Sequence, residues 1–185
     1  MNNLDLELAK EAYVKPSKRR KKIDGYEYLE DISPEDKTVY KKGNKIKVGY
    51  RGSATPRDWL SNFEYLALGR EKLDPQYIKD DIHFSKLKEQ FPTADISLAS
   101  HSRGSSRADS ISRKYKVPTV GFNPASTPMD ILKPVNPQKT IVRSVLDPVS
   151  LFSKNLPGVK NVVGPTDLVK AHALDQFEGN PIFIK

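Results

Sequence analysis

The chain has 185 residues, enough for one well-buried domain and short for two, and no internal repeat or domain boundary interrupts it. A formal net charge of +8 fits nucleic acid, an anionic lipid surface or plain solubility. The absence of cysteine excludes a disulfide framework and a thiolate metal site. Residues 1–7 lack a basic-then-apolar leader, and no apolar run approaches the ~18 residues of a spanning helix. A soluble, intracellular protein is expected, touching membrane only peripherally.

Residues 4–14 place Leu4, Leu6, Leu8, Ala9, Ala12 and Tyr13 in a short amphipathic helix that ends before Pro16. Residues 15–22 (KPSKRRKK) are a basic cluster, read as a nuclear-localisation or phosphate-binding segment or as a solvated loop before the first strand. Residues 26–29 predict a strand and Ser33-Pro34-Glu35-Asp36 a capped turn. Residues 38–40 and 45–50 predict a hairpin around Lys42-Gly43-Asn44, its second strand ending at Arg51-Gly52-Ser53. Trp59, Leu60, Phe63 and Leu66 share one helical face, either core or a mobile lid over a lipid-binding groove. Asp74-Pro75 opens a helix to about Phe91, with Tyr77, Ile78, Ile82, Leu87 and Phe91 inward and lysines outward. Residues 117–122 predict a strand, 123–139 a proline-rich ordered loop, 140–146 a strand ending at Asp147-Pro148, and 161–164 a last short strand. Strands alternating with helices predict an α/β sandwich on a mostly parallel sheet, with an N-terminal antiparallel hairpin and helices on both faces.

Between residues 95 and 111 a strand pattern turns into a helix pattern through small residues around Ser102. That is the geometry of a nucleophile elbow, with Ser100 in place of the first glycine of Gly-x-Ser-x-Gly; an N-cap serine is the competing reading. A serine hydroxyl attacks only when a base takes its proton. Of the three histidines, His101 adjoins Ser102 and points elsewhere in a tight turn, and His83 lies on a helix before the elbow and looks surface-facing. His172 remains as the base by elimination. Asp147 is the acid that follows a buried-looking strand, although Asp-Pro alone reads as a turn. Backbone donors for a developing oxyanion are expected at Arg103, after the nucleophile, and at Ser53, after the strand that ends at Tyr50.

Several segments together resemble the class-three (fungal-type) lipases, an α/β-hydrolase family. Val48-Gly49-Tyr50-Arg51-Gly52-Ser53 is similar to that family's oxyanion strand and loop, and Asp58-Trp59-Leu60 to the motif that follows it. Ser100-His101-Ser102-Arg103-Gly104 is similar to its Gly-His-Ser-Leu-Gly elbow. Thr119-Val120-Gly121-Phe122-Asn123-Pro124 resembles the strand after the elbow helix, residues 142–149 the strand carrying the acid, and residues 172–177 the segment carrying the base.

The resemblance implies one hydrolase domain over residues 1–185, with Ser102 as nucleophile, Asp147 as orienting acid, His172 as base, and Ser53 and Arg103 at the oxyanion site. It implies hydrolysis of a lipid or small ester and no cofactor or metal. Two departures stand out, Ser100 for glycine and Arg103 for leucine. The alternative is a catalytically silent scaffold that uses its basic surface on anionic membrane or nucleic acid.

Overall fold

Short turns and alternating apolar residues lay the described strands into one sheet. The computed structural model describes residues 3–52, 75–126, 132–154, 156, 158–179 and 181–184. Among these, nine strands pair in chain order: β1 (Lys22–Ile23), β2 (Tyr26–Tyr28), β3 (Lys37–Lys42), β4 (Lys45–Tyr50), β5 (Asp95–His101), β6 (Thr119–Phe122), β7 (Lys139–Ser144), β8 (Val159–Val162) and β9 (Phe183–Ile184). Four helices accompany them: α1 (Asn3–Glu11), α2 (Pro75–Gln90), α3 (Arg103–Tyr115) and α4 (Leu168–His172).

The α/β class is as expected, but the sheet is only half parallel. β4 to β8 run parallel, whereas β1 to β4 and the β8–β9 pair are antiparallel. The connections explain the split. β3 and β4 are joined by Gly43-Asn44 alone, with Lys42 opposite Lys45 and Gly43 at φ 56°, and so tight a turn can only return antiparallel. Each parallel neighbour needs a longer crossover, such as the one through α3 between β5 and β6.

Both faces of the sheet are covered. On one, Leu4 and Leu8 of α1 pack with Ile23, Tyr26, Tyr28, Tyr40 and Ala99, while Leu6 and Ala9 pack with Phe122, Val142, Val162, Leu174 and Phe177. Gly49 lets α1 lie directly on β4, since a Cβ there would sit 2.5 Å from the Leu8 carbonyl oxygen. On the other face Phe84, Leu87, Ala108 and Ile111 of α2 and α3 bury Val39, Ile46, Val48, Ile96 and Leu98. Each such aliphatic or aromatic side chain contributes about 1.5–3 kcal/mol on burial.

Three sequence expectations are corrected. The inward stripe of α2 is Asp80, Phe84 and Leu87, with Ile78 and Ile82 exposed, because the helix is turned to bring a carboxylate under the sheet. Asp80 Oδ1 accepts from Lys37 Nζ at 2.7 Å, and Asp80 Oδ2 accepts from Arg107 Nε at 2.6 Å; all three side chains are buried. The basic cluster is not a solvated loop throughout. Arg19 is buried and donates to the Tyr28 hydroxyl and the carbonyls of Val14, Pro34, Glu35 and Lys37. Arg20 pairs with Glu7 and Glu11, and Lys21 with Glu30. Finally, His83 is half-buried rather than surface-facing, its Nε2 2.8 Å from the Ile32 carbonyl oxygen. The proposed lid face at Trp59, Leu60, Phe63 and Leu66 lies outside the described residues, as does the Asp58-Trp59-Leu60 motif.

Candidate active site

Ser102 stands between the end of β5 and the start of α3 with φ 53° and ψ −129°. A non-glycine residue holds such a backbone only where its surroundings impose it, at about 1–3 kcal/mol of strain. The surroundings here are close-packed. A Cβ on Gly104 would lie 2.6 Å from the Tyr50 carbonyl oxygen, and one on Gly52 would lie 2.9 Å from Ser102 Cβ. Glycine at these two places lets α3 and the end of β4 close on the elbow. Ser100 fits where the motif has glycine because its hydroxyl donates to the Val120 carbonyl at 3.1 Å and meets Ser105 Oγ at 3.0 Å, opposite Gly121.

The N-cap reading of Ser102 fails, since its side chain makes no capping hydrogen bond. Its Oγ lies instead 3.0 Å from His172 Nε2. His172 Nδ1 is 3.0 Å from Asp147 Oδ1. A carboxylate can only accept, so Nδ1 carries the proton and Nε2 is free to accept from the serine hydroxyl. The side chains of the three predicted residues are therefore brought together in one hydrogen-bonded row. Ser102 and Asp147 are buried and His172 is partly exposed, so an approaching molecule can reach the imidazole.

Each member is held by its own local structure. β7 stops at Ser144, two residues short of the expected Leu146, because the Ser144 amide donates to Asn123 Oδ1 and Asp147 N turns back to the Ser144 carbonyl. Asp147 Oδ1 also accepts from the Val149 amide at 3.0 Å. Buried Arg143 braces that turn at both ends, donating to Ser150 Oγ and the Val145 carbonyl. Burial lowers the Arg143 pKa, and the charge of Asp147 opposes the shift. His172 closes α4, which is capped by Asp167 accepting from the Lys170 amide. Asn123 Nδ2 donates to the carbonyls of Ala171 and His172 at 2.8 and 3.0 Å.

Arg103 is the first residue of α3, directly after Ser102. Ser53 lies outside the described residues; its neighbour Gly52 packs against Ser102. Sequence reasoning missed four contributors: Asn123, Arg143, Tyr13 and the buried side of His101. Tyr13 Oη is 2.7 Å from His101 Nδ1 and accepts from the Gly52 amide at 3.0 Å, while His101 Nε2 is 2.9 Å from the His172 carbonyl oxygen. Only His101 carried a signal, as a polar residue beside the elbow serine. Among the described residues no group of His, Asp and Glu has the arrangement of a metal site, and no helix is long and apolar enough to cross a membrane.

No protein-family model matches the sequence. No curated protein matches it either. Among solved structures, the lipase of Rhizomucor miehei in its native propeptide complex is similar with a TM-score of 0.51 and 12% identity, over 89% of this chain and 67% of that one. A triacylglycerol lipase from Penicillium expansum is matched with a TM-score of 0.44 and 14% identity, over 99% of this chain and 81% of that one. At such identity the likeness to the Rhizomucor miehei protein establishes one thing: this chain has a lipase-like α/β fold.

Proposed function

We propose that the protein is a serine carboxyl-ester hydrolase acting on lipid esters, a lipase or phospholipase, through an acyl-enzyme on Ser102. The observation that carries this reading is the unbroken relay from Ser102 Oγ through His172 to buried Asp147, at 3.0 Å on each side. In the reaction, Ser102 Oγ bonds to the ester carbonyl carbon as its proton passes to His172 Nε2. Asp147 stabilises the resulting imidazolium and keeps its orientation. The tetrahedral oxygen takes donors from the Arg103 amide and from Ser53. Collapse breaks the carbon–oxygen bond to the alcohol, which leaves with the proton from His172. Water, deprotonated by the same imidazole, then bonds to the acyl carbon; the bond from that carbon to Ser102 Oγ breaks, the carboxylic acid leaves, and Oγ takes the proton back from His172 Nε2.

A lipid rather than a polar ester is favoured by exposed apolar residues beside the machinery. Leu146 precedes Asp147, and Leu168 and Val169 lie on the helix that carries His172. The Rhizomucor miehei fold neighbour is a lipase, which agrees with that substrate class. The rival, a silent scaffold for anionic membrane or nucleic acid, draws on the basic cluster. Its support is thinned by the burial of Arg19 and the pairing of Arg20 and Lys21 with carboxylates.

The test is treatment with a fluorophosphonate probe followed by peptide mass spectrometry. The expected outcome is one adduct, on Ser102. Ser102→Ala and His172→Ala should lower turnover of p-nitrophenyl esters by about 10⁴-fold or more, as when comparable relays are broken. An unlabelled protein that binds vesicles or DNA in a strongly salt-dependent way would instead favour the scaffold.

A further inference from the structure

The hydrogen bonds around His101 form a chain whose direction is fixed by its two ends. The Gly52 amide can only donate, so Tyr13 Oη is the acceptor of that bond. The His172 carbonyl oxygen can only accept, so His101 Nε2 holds a proton. A neutral imidazole with Nε2–H presents a lone pair at Nδ1, and the phenolic proton of Tyr13 fills it at 2.7 Å. Every donor then has an acceptor, in a single sense, from the segment after β4 through the elbow to the end of α4.

Burial keeps both links in the required state. It lifts the Tyr13 phenol to about 12, against the opposing effects of the Gly52 amide and Arg51, so the hydroxyl keeps its proton. It also lowers His101 to about 3, helped by the neighbouring His172, so the ring stays neutral. The His101 and His172 rings lie 4.8 Å apart, centroid to centroid. A second cation there would oppose the imidazolium that His172 forms when it takes the serine proton.

We propose that Tyr13 and His101 are positioning residues of this site: their one-directional hydrogen-bond chain sets the Gly52 segment, the elbow and the His172 backbone against one another, and holds His101 as a neutral, non-competing imidazole. The inference rests on Ser102 acting as the nucleophile. It adds two side chains that touch neither substrate nor the reacting atoms, acting through the Gly52 amide and the His172 carbonyl.

The experiment has three arms on the full chain. In the parent, long-range ¹H–¹⁵N spectra should show His101 as the Nε2–H tautomer, with an unprotonated Nδ1, at neutral pH. Tyr13→Phe removes the link to Gly52 and the donor to Nδ1. Its kcat on a soluble p-nitrophenyl ester should fall by about 10- to 100-fold, the scale of a misplaced catalytic group, with KM within about twofold. His101→Gln keeps an N–H near the His172 carbonyl and should retain more kcat than His101→Asn, whose shorter amide reaches only toward Tyr13. Parent-like kcat in Tyr13→Phe, or an Nδ1–H tautomer of His101 in the parent, overturns the proposal and leaves the Ser102 reading standing. A parent that forms no fluorophosphonate adduct at Ser102 removes both. Should the variants fail to fold, the tautomer in the parent still decides.

Discussion

At the scale of single residues, the site is built from side chains each held by hydrogen bonds of its own. Asp147 has both His172 Nδ1 and the Val149 amide on one oxygen, and it sits in a turn braced by Arg143 and closed against Ser144. Replacing the carboxylate by an amide offers the imidazole a donor as readily as an acceptor, so the ring loses its reason to carry the proton on Nδ1. Asp147→Asn should therefore lower kcat by about 10⁴-fold, as seen where the same acid is changed in comparable triads, while the thermal midpoint moves little. Steady-state kinetics and a melting curve on the same preparation check both halves. Gly104→Ala tests the packing beneath the elbow. Its new methyl would meet the carbonyl oxygens of Tyr50 and Arg51 at 2.6 and 2.8 Å, and neither is a flexible side-chain end that can swing away. A loss of about 1–3 kcal/mol in urea unfolding is expected, the usual cost of overpacking, together with slower labelling of Ser102.

Among elements, α2 carries the clearest departure from periodicity. Asp80 is inside, joined to Lys37 of β3 and Arg107 of α3, and Asp36 completes a group of two acids and two bases around the ring of Tyr50. Asp80→Ala leaves two buried cations facing one partly exposed carboxylate, and removing one partner of a buried pair costs about 3–5 kcal/mol. Lys114→Ala breaks an exposed pair with Asp81 and should leave the urea midpoint where it is. Denaturation of the two variants side by side measures the contrast. This group also shows why part of the fold could not be read from the sequence. Alternation and turn residues identified the hairpin, the elbow strand and the elbow helix, because those signals are local. The inward face of α2 depends on charges from β3 and α3 that are distant in sequence, so apolar Ile78 and Ile82 gave the wrong side. The parallel share of the sheet was overestimated for a similar reason: β1, β2 and β9 are two or three residues long and carry little pattern of their own. Ser102, His172 and Asp147 could be named from the sequence as candidates because a nucleophile, a base and an acid each admit few residue types, and the fold brings their side chains within hydrogen-bond distance. Asn123 and Tyr13 were not, since their roles are hydrogen bonds to backbone groups that no periodicity reports.

For the whole molecule, the buried titratable groups set how the fold responds to acid. Burial, with His172 close by, lowers His101 to about 3, whereas an unfolded histidine binds its proton near pH 6.5. Between these values the unfolded chain holds a proton that the native chain excludes. Stability contributed by neutral His101 is thus complete above about pH 6.5 and is lost progressively as pH falls toward 3. Asp36 follows at lower pH. Burial alone would raise it, but Arg107 and Lys37 outweigh that effect and hold it at about 2, so its contribution is lost below the ordinary carboxylate range near pH 4. Half-buried His83 is shifted down as well and adds to the first phase. Urea unfolding of the parent from pH 7 to pH 4 should therefore show a free energy that declines as the medium turns acidic, each excluded proton giving a slope of about 1.4 kcal/mol per pH unit. His101→Gln cannot titrate, and its curve should be flatter by one such proton over the same interval. Parallel curves for parent and variant would mean that residue 101 takes up its proton equally in both states. Burial would then not be what keeps the His101 ring neutral, and the chain from Gly52 to His172 would rest on its geometry and the neutral-pH tautomer alone.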